Sequence, residues 1–295
     1  MTVDVQSVLA RYLVHVERAM MRALPADEAG PSRLRESMRH SLDAPGKRIR
    51  PALCFAACEA AGAEASRADA PAAALELVHT YSLIHDDLPC MDDDETRRGR
   101  PTNHMVYGEA MAVLAGDALL TRAFGVLGSA SALPEAVRAA MVVTLAKAAG
   151  EAGMVGGQAM DLAAEGRDVD AAELRGIHAR KTGALFEASC RLGGLAAEAP
   201  TGTVEALGRF GERLGLAFQI ADDLLDETGS AAALGKAAGK DRGRGKATYP
   251  VLFGLEESRR LLREAAGAAE GTLAPFGRAA ELLVRIVRFV VERSC

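Results

Sequence analysis

The fold is constrained most by two apolar segments that lie about half a chain apart. Each of them leads into a pair of adjacent aspartates. The first reads LELVHTYSLIHDDL and the second RFGERLGLAFQIADDLLDE. Both carry apolar residues at helical spacing, and two helices of one bundle can present their terminal carboxylates to a shared interior. The pair therefore predicts a helical bundle with acidic groups on opposing helices. The alternative is a chance likeness between two amphipathic helix ends.

The composition supports an all-helical fold. Aromatic residues make up only 4% of the chain and there is no Trp, whereas Ala and Leu, which favour helices over strands, are abundant. No linker rich in Ser, Pro or Gly divides the sequence, so we predict one domain over residues 1–295. Apolar periodicity and Gly, Pro or charged breaks predict these main helices: 5–24, 70–87, 104–129, 134–165, 171–197, 201–227, 247–266 and 276–293.

Charge and cysteine content narrow the class of protein. A net charge of −5 argues against a broad nucleic-acid footprint. The five cysteines form no CxxC pair, so neither a disulfide framework nor a zinc knuckle is indicated. The first residues lack a signal-peptide apolar stretch, and no uninterrupted run approaches the roughly 18 apolar residues of a membrane span. We expect a cytoplasmic protein with no membrane span and no nucleic-acid partner.

The acidic clusters have the chemistry of a magnesium site. Asp222 and Asp226 are four residues apart and so share one helix face, whereas Pro89 interrupts the first cluster. Carboxylates this close repel one another unless a cation neutralises them, and Mg²⁺ bound by oxygen ligands often shares a substrate phosphate. The alternative for residues 82–101 is a solvated, salt-bridged surface loop. The predicted metal ligands are Asp86, Asp87, Asp92, Asp222, Asp223 and Asp226.

Short basic clusters accompany the acidic ones. Arginine grips phosphate through paired hydrogen bonds, and lysine does so as a point charge. The segments GKRIR, RRGR and GKAAGKDRGRGK, together with the lysine of KTG, supply more cations than one diphosphate needs. We therefore predict a second anionic substrate.

Six motifs occur in the order typical of one enzyme family. They are GKRIRP, DDLPCMDD followed by RRGRP, GGQAMDL, KTGALF, FQIADDLLD and GKATYP, and they cover residues 46–250. In these the chain resembles the trans-prenyltransferases, the isoprenyl diphosphate synthases, and within them the bacterial farnesyl diphosphate synthase type. The resemblance implies an isoprenoid-synthase helical bundle with a central active-site cavity, a homodimer, and dependence on Mg²⁺ (about three ions per site), which Mn²⁺ can replace.

The resemblance also implies residue roles. Both aspartate motifs would bind Mg²⁺ and take part in catalysis with Lys181, Thr182 and Gln219. Thr182 and Gln219 would turn oxygens toward a developing carbocation, and Gln158 and Asp161 match a position near the metal site. The diphosphate of the allylic substrate would be held by Arg97, Lys181, Lys236 and Lys246. The diphosphate of isopentenyl diphosphate would be held by Lys47, Arg50, His79 and Arg98.

The implied reaction is head-to-tail 1′-4 condensation of isopentenyl diphosphate with dimethylallyl and then geranyl diphosphate, without a dedicated side-chain base. Tyr81 lies five residues before Asp86, or roughly 7.5 Å along the helix axis, so its ring, with Ser82, would form the floor for the growing tail. This predicts a C15 product, with C20 or C10 as alternatives. More remote alternatives are a terpene cyclase, whose second motif usually carries Asn, Ser and Glu, and a non-catalytic synthase subunit.

Overall fold

The protein is all-α, as predicted. The computed structural model describes residues 5–25, 30–229 and 247–292, with the first six residues of α1 described by their backbone alone. The helices in chain order are α1 (Val5–Ala23), α2 (Ser32–Leu42), α3 (Ile49–Ala60), α4 (Asp69–Asp86), α5 (Asn103–Tyr107), α6 (Glu109–Gly128), α7 (Glu135–Ala149), α8 (Met154–Ala164), α9 (Ala171–His178), α10 (Ala184–Ala196), α11 (Thr201–Glu227), α12 (Tyr249–Phe253), α13 (Leu255–Thr272) and α14 (Glu281–Glu292). Short 3₁₀ helices cover Ala65–Ala68 and Ala274–Ala280.

The strands within the described ranges form one small hairpin. β1 (Thr96–Arg97) pairs antiparallel with β2 (Arg100–Pro101). The two residues between the strands, Arg98 and Gly99, both have positive φ, at 52° and 75°. Positive φ at both central positions matches the twist of a tight two-residue hairpin. The hairpin turns the chain back directly after the first acidic cluster.

Helices α3, α4 and α10 form the centre of the bundle. They pack against one another, and α4 also packs against α1 and α6. Helix α3 is apolar around its circumference, as expected for a helix enclosed by others. Gly193 of α10 lies so close to α3 that a Cβ there would be 2.3 Å from the Cys54 carbonyl oxygen. A small residue at this position thus allows the backbones of α3 and α10 to approach each other closely.

Several predicted helices are interrupted. The stretch 104–129 breaks at Gly108 and the stretch 247–266 breaks at Gly254, with φ of 85° and 77°, a conformation that ends a helix and that glycine adopts readily. The stretch 134–165 breaks at residues 150–153, where Gly150 has an extended conformation (φ −82°, ψ −157°) and Gly153, with ψ −127°, also lies outside the helical region. The predicted helix 276–293 starts as a 3₁₀ segment with a kink at Gly277, and regular α-helix begins only at Glu281.

The predicted helix 171–197 is not broken, but its middle is not α-helical. Its α9 and α10 portions are joined by one π-helical turn over Ala179–Gly183. A π turn widens the helix locally by one residue and is often found at functional sites. Lys181 and Thr182 lie in this turn.

Two helical stretches reach the length and apolar character of a membrane span: Glu109–Gly128, and Glu135–Ala164 counted across its break. Core helices of soluble proteins pass the same test, so length and composition do not indicate a membrane protein here. In both stretches only 33% of the residues in the most apolar window are buried. Much of their apolar surface is therefore open in the single chain.

Candidate active site

One cavity of about 940 Å³ receives both acidic clusters. Asp86 and Asp92 reach it from the end of α4 and the turn that follows, and Asp222, Asp223 and Asp226 reach it from α11. The structure thus brings the two motifs to one interior, as their helical setting predicted. A surface-loop interpretation does not account for this shared burial.

Asp87 departs from the predicted arrangement. Its side chain does not line this cavity; Asp87 Oδ1 accepts a hydrogen bond from Arg97 Nε at 2.6 Å and forms an ion pair with Arg97 Nη2 at 2.6 Å. The contact with Arg97, which belongs to the hairpin, engages the Asp87 carboxylate, whereas the neighbouring Asp86 lines the cavity. Asp94 is also buried, and its carboxylate lies 3.5 Å from Arg97 Nη2. Asp87 and Asp94 hold Arg97 beside the cavity.

Burial disfavours the ionised form of the carboxyl groups in the first acidic cluster. Burial raises the pKa of Asp86 to about 6; Asp92 and Asp87 add to this rise, whereas Lys181 and Arg97 oppose it. Burial likewise raises the pKa of Asp87 despite its bond to Arg97. Among the described residues no three potential ligands are close enough to form a preassembled metal centre. The carboxylates therefore face a common space without already converging on one point.

A chain of hydrogen bonds crosses the second cluster. The Thr182 hydroxyl donates to Gln219 Oε1 at 2.8 Å, and Gln219 Nε2 donates to Asp223 Oδ1 at 2.9 Å. The backbone N–H of Tyr249 donates to the other oxygen of Asp223 at 3.0 Å. The π turn, α11 and the start of α12 are thereby joined. This chain holds the Thr182 and Gln219 oxygens at the cavity wall.

The π turn also places Lys181 against α8. Lys181 Nζ lies 2.6 Å from Asp161 Oδ2, so two residues predicted at the site form an ion pair. Gly157 allows this approach, because a Cβ there would be 2.2 Å from the Lys181 backbone nitrogen. Gln158 lines the cavity beside them. The glycines of the GGQ motif thus have a packing role that the sequence analysis did not foresee.

A cationic group occupies another part of the cavity wall. All four residues predicted for isopentenyl diphosphate line the cavity: Lys47, Arg50, His79 and Arg98. The Arg50 guanidinium lies over the Phe186 ring, 5.2 Å from its centroid. Burial lowers the pKa of Arg50 to about 10, which leaves it charged at neutral pH, and burial with nearby arginines lowers the pKa of His79 well below its usual value. The group can therefore attract an anion while His79 stays neutral.

Tyr81 occupies the predicted floor position. Its ring is buried, lines the cavity and contacts His85 edge-on at a centroid distance of 5.7 Å. His85 in turn bonds the Val113 carbonyl of α6 at 3.1 Å. Ser82 also lines the cavity, and its hydroxyl donates to the His79 carbonyl. The ring is thus braced between α4 and α6.

Glu76 and His178 are titratable cavity residues that the sequence motifs do not point to. Glu76 is a buried carboxylate in the otherwise apolar stretch of α4, and that isolated charge was an available signal. His178 is buried beside Tyr249, with 5.7 Å between ring centroids, and burial lowers its pKa to about 4. Nothing in the local sequence distinguishes His178 from a core histidine. The predicted ligands Lys236 and Lys246 lie outside the described residues.

Comparisons with known proteins agree with this site. The polyprenyl synthetase family profile matches residues 31–280. The farnesyl diphosphate synthase of Escherichia coli (strain K12) is 50% identical over 233 residues, 78% of each protein. The heterodimeric geranylgeranyl pyrophosphate synthase large subunit 1, chloroplastic, of Arabidopsis thaliana is 50% identical over 260 residues, 85% of this chain and 70% of that one. The apo crystal structure of an FPP/GFPP synthase from Zymomonas mobilis matches with a TM-score of 0.87 at 36% identity, covering 99% of this chain and 100% of that chain. The chain belongs to the polyprenyl synthetase family.

Proposed function

We propose that the protein is a short-chain prenyltransferase that condenses isopentenyl diphosphate with dimethylallyl and geranyl diphosphate to give farnesyl diphosphate and diphosphate. One observation carries the proposal: a single cavity is lined by two acidic clusters and by a separate cationic group. The acidic clusters suit a metal-bound diphosphate, and the cationic group suits a second diphosphate that needs no metal. A site for two diphosphates is what a condensation requires and a cyclisation does not.

The donor set fits magnesium. Asp86, Asp92, Asp222, Asp223 and Asp226 offer only carboxylate oxygens, and the raised pKa of Asp86 reflects burial and like charge that a cation would relieve. Bound Mg²⁺, about three ions with Mn²⁺ as a substitute, would neutralise the charge that builds on a departing diphosphate. Asp87 is assigned a different task, since its carboxylate orients Arg97.

The remaining residues have separate tasks in the condensation. Arg97 and Lys181 hold the allylic diphosphate while its bond to carbon breaks. The oxygens of Thr182 and Gln219, oriented by the bond between them, face the allylic cation and stabilise its charge. The double bond of isopentenyl diphosphate attacks this cation, and the proton lost afterwards passes to the departing diphosphate.

The C15 product is supported by the Tyr81 ring. A braced aromatic side chain at this depth of α4 leaves room for a limited tail below the acidic clusters. The relatives include both farnesyl and geranylgeranyl synthases, so a C20 product is the competing proposal. A buried ring at position 81 favours the shorter product.

A homodimer is the second part of the proposal. Exposed apolar side chains lie on three consecutive helices: Val113 and Leu114 on α6, Val143 on α7, and Val155 on α8. A large exposed apolar surface on a single chain is typical of an interface with another protein. A second copy of the chain would cover these side chains. Light scattering coupled to gel filtration measures the assembly, and a monomer at micromolar concentration would contradict it.

Product analysis by mass spectrometry tests the reaction. Purified protein is incubated with isopentenyl diphosphate, dimethylallyl diphosphate and Mg²⁺, beside a control with EDTA. We expect a C15 diphosphate that is absent with EDTA. A C20 product would retain the reaction and refute Tyr81 as its floor, whereas a hydrocarbon formed from geranyl or farnesyl diphosphate without consumption of isopentenyl diphosphate would indicate a cyclase.

A further inference from the structure

A buried ion pair lies beside the cationic group, and both of its members line the same cavity. Glu76 of α4 is only 2% exposed, and its carboxylate accepts a hydrogen bond from the Arg48 guanidinium. The two side chains are 3% and 11% exposed, so water screens the pair little. Because burying two charges is costly, such a pair adds little net stability compared with apolar residues of similar volume.

Arg48 ties together three parts of the chain. It precedes α3 with φ 48° and ψ 36°, a left-handed conformation that a residue with a side chain rarely adopts. One nitrogen of its guanidinium donates to the Leu42 carbonyl at 2.7 Å and to the Ala44 carbonyl at 3.0 Å, and another bonds Glu76. The end of α2, the turn over residues 43–48 and α4 are therefore held by one side chain. Lys47 and Arg50 flank this anchor in sequence.

The same turn supports Arg98. A Cβ at Gly46 would lie 2.4 Å from Arg98 Nη1, so the guanidinium rests directly on the glycine backbone. A displacement of the turn would therefore move Arg98 as well as Lys47. Burial lowers the pKa of Arg50 and of Arg98, and the negative charge of Glu76 opposes that effect at both residues. The position and the charge of the cationic group therefore both depend on the turn over residues 43–48 and on Glu76.

We propose that Glu76 and Arg48 are positioning residues for the second diphosphate: their ion pair holds the turn over residues 43–48 so that Lys47, Arg50 and Arg98 can bind isopentenyl diphosphate. This inference rests on the proposed function and assigns a task to two residues that do not take part in the chemical step. The allylic diphosphate would bind at the acidic clusters, so we expect loss of the pair to weaken binding of isopentenyl diphosphate more strongly.

Replacing Glu76 by Gln distinguishes a positioning role from a purely electrostatic role, because the two roles predict opposite changes in KM for isopentenyl diphosphate. Removal of a negative charge beside three cations would by itself strengthen diphosphate binding and lower KM. Loss of the anchor would misplace the cations, and small misplacements reduce binding and catalysis strongly. For Glu76→Gln we expect KM for isopentenyl diphosphate to rise about tenfold, with kcat and KM for geranyl diphosphate changed by less than about twofold.

The matched control is Glu59→Gln. Glu59 also pairs with an arginine, Arg11 at 2.6 Å, and accepts a hydrogen bond from Tyr12, but it does not line the cavity. We expect its KM for isopentenyl diphosphate to equal that of the wild type. A second variant, Arg48→Met with Glu76→Leu, replaces the pair by apolar groups of similar size and guards against a folding defect in the single substitution. Its KM should also rise, because the bonds to the Leu42 and Ala44 carbonyls are gone.

The outcomes are distinct. A wild-type protein that does not consume isopentenyl diphosphate refutes the proposed function and this inference with it. An active wild type with unchanged or lowered KM for isopentenyl diphosphate in folded Glu76→Gln, or in the double variant, refutes the inference alone. An equal rise in KM for both substrates, or the same rise in Glu59→Gln, also refutes it, because the effect would then be general.

Discussion

Replacing Tyr81 by Ala should lengthen the product by one five-carbon unit. The Tyr81 ring lies on α4, five residues and roughly 7.5 Å before Asp86, and it is braced by the edge-on contact with His85. The next residue on the same helix face is Leu77, four residues further back. Removal of the ring therefore deepens the channel by about 6 Å, which is close to one extended five-carbon unit. We expect a change from C15 to mainly C20.

The cost in stability should be tolerable. Truncating a large aromatic side chain in a packed core costs about 3–5 kcal/mol, of which part is the cavity left behind. Tyr81 already lines an open cavity on one side, so its loss removes fewer contacts and should cost about 3 kcal/mol or less. A folded Tyr81→Ala protein is therefore expected, and a thermal melt checks this before the assay.

Tyr81→Phe is the matched control. The Tyr81 hydroxyl is buried and has no hydrogen-bond partner among the described residues, so its removal leaves no group unsatisfied. Its product should remain C15, with unchanged or slightly higher stability. Mass spectrometry of the dephosphorylated products from geranyl and isopentenyl diphosphates measures the chain length. Wild-type products from a folded Tyr81→Ala protein, or longer products from Tyr81→Phe, would refute the ring as the floor.

Three further predictions follow from the site. Asp222→Asn should lower kcat at least about 100-fold, since it removes charge that stabilises the leaving group; a loss below tenfold in steady-state assays would contradict its role. Ser82→Phe should fill the cavity and increase the share of C10 product, whereas an unchanged product profile would remove Ser82 from the floor. Because burial raises the pKa of Asp86 to about 6, the metal-free folded protein holds more protons than the unfolded chain between about pH 4 and 6, and its stability falls as pH rises through that window. Asp86→Asn should therefore melt at a higher temperature than the wild type above pH 6 and lose this advantage below about pH 4; melts in EDTA that show no such crossover would contradict the assignment.

The fold class and the acidic motifs could be predicted because helical periodicity is a local property. The four-residue spacing of Asp222 and Asp226 places them on one face wherever α11 lies, and both face the cavity. The helix ends were predicted less well. At Gly108 and Gly254 the glycines lie within continuous apolar patterns, and apolar periodicity does not reveal that the backbone adopts positive φ there.

Other features depend on contacts between distant segments. The π turn that carries Lys181 has no sequence signature, because its widening accommodates α8 at Gly157. Asp86 and Asp87 are equivalent in sequence, yet Arg97 from the hairpin draws Asp87 away from the cavity. Glu76 stands out in the sequence as an isolated charge, but its pairing with Arg48, 28 residues away in the chain, is visible only in the structure.

The sequence by itself determined that this protein is a helical bundle of a recognisable family with two acidic motifs, since those properties depend on residue type and on spacing within one helix. The tertiary structure alone decided which carboxylates face the cavity, which arginines are anchored by other charges, and where in the cavity wall the Tyr81 ring lies. The physical reason is that burial, charge pairing and shape arise only where separate helices meet, and no spacing along a single helix specifies them.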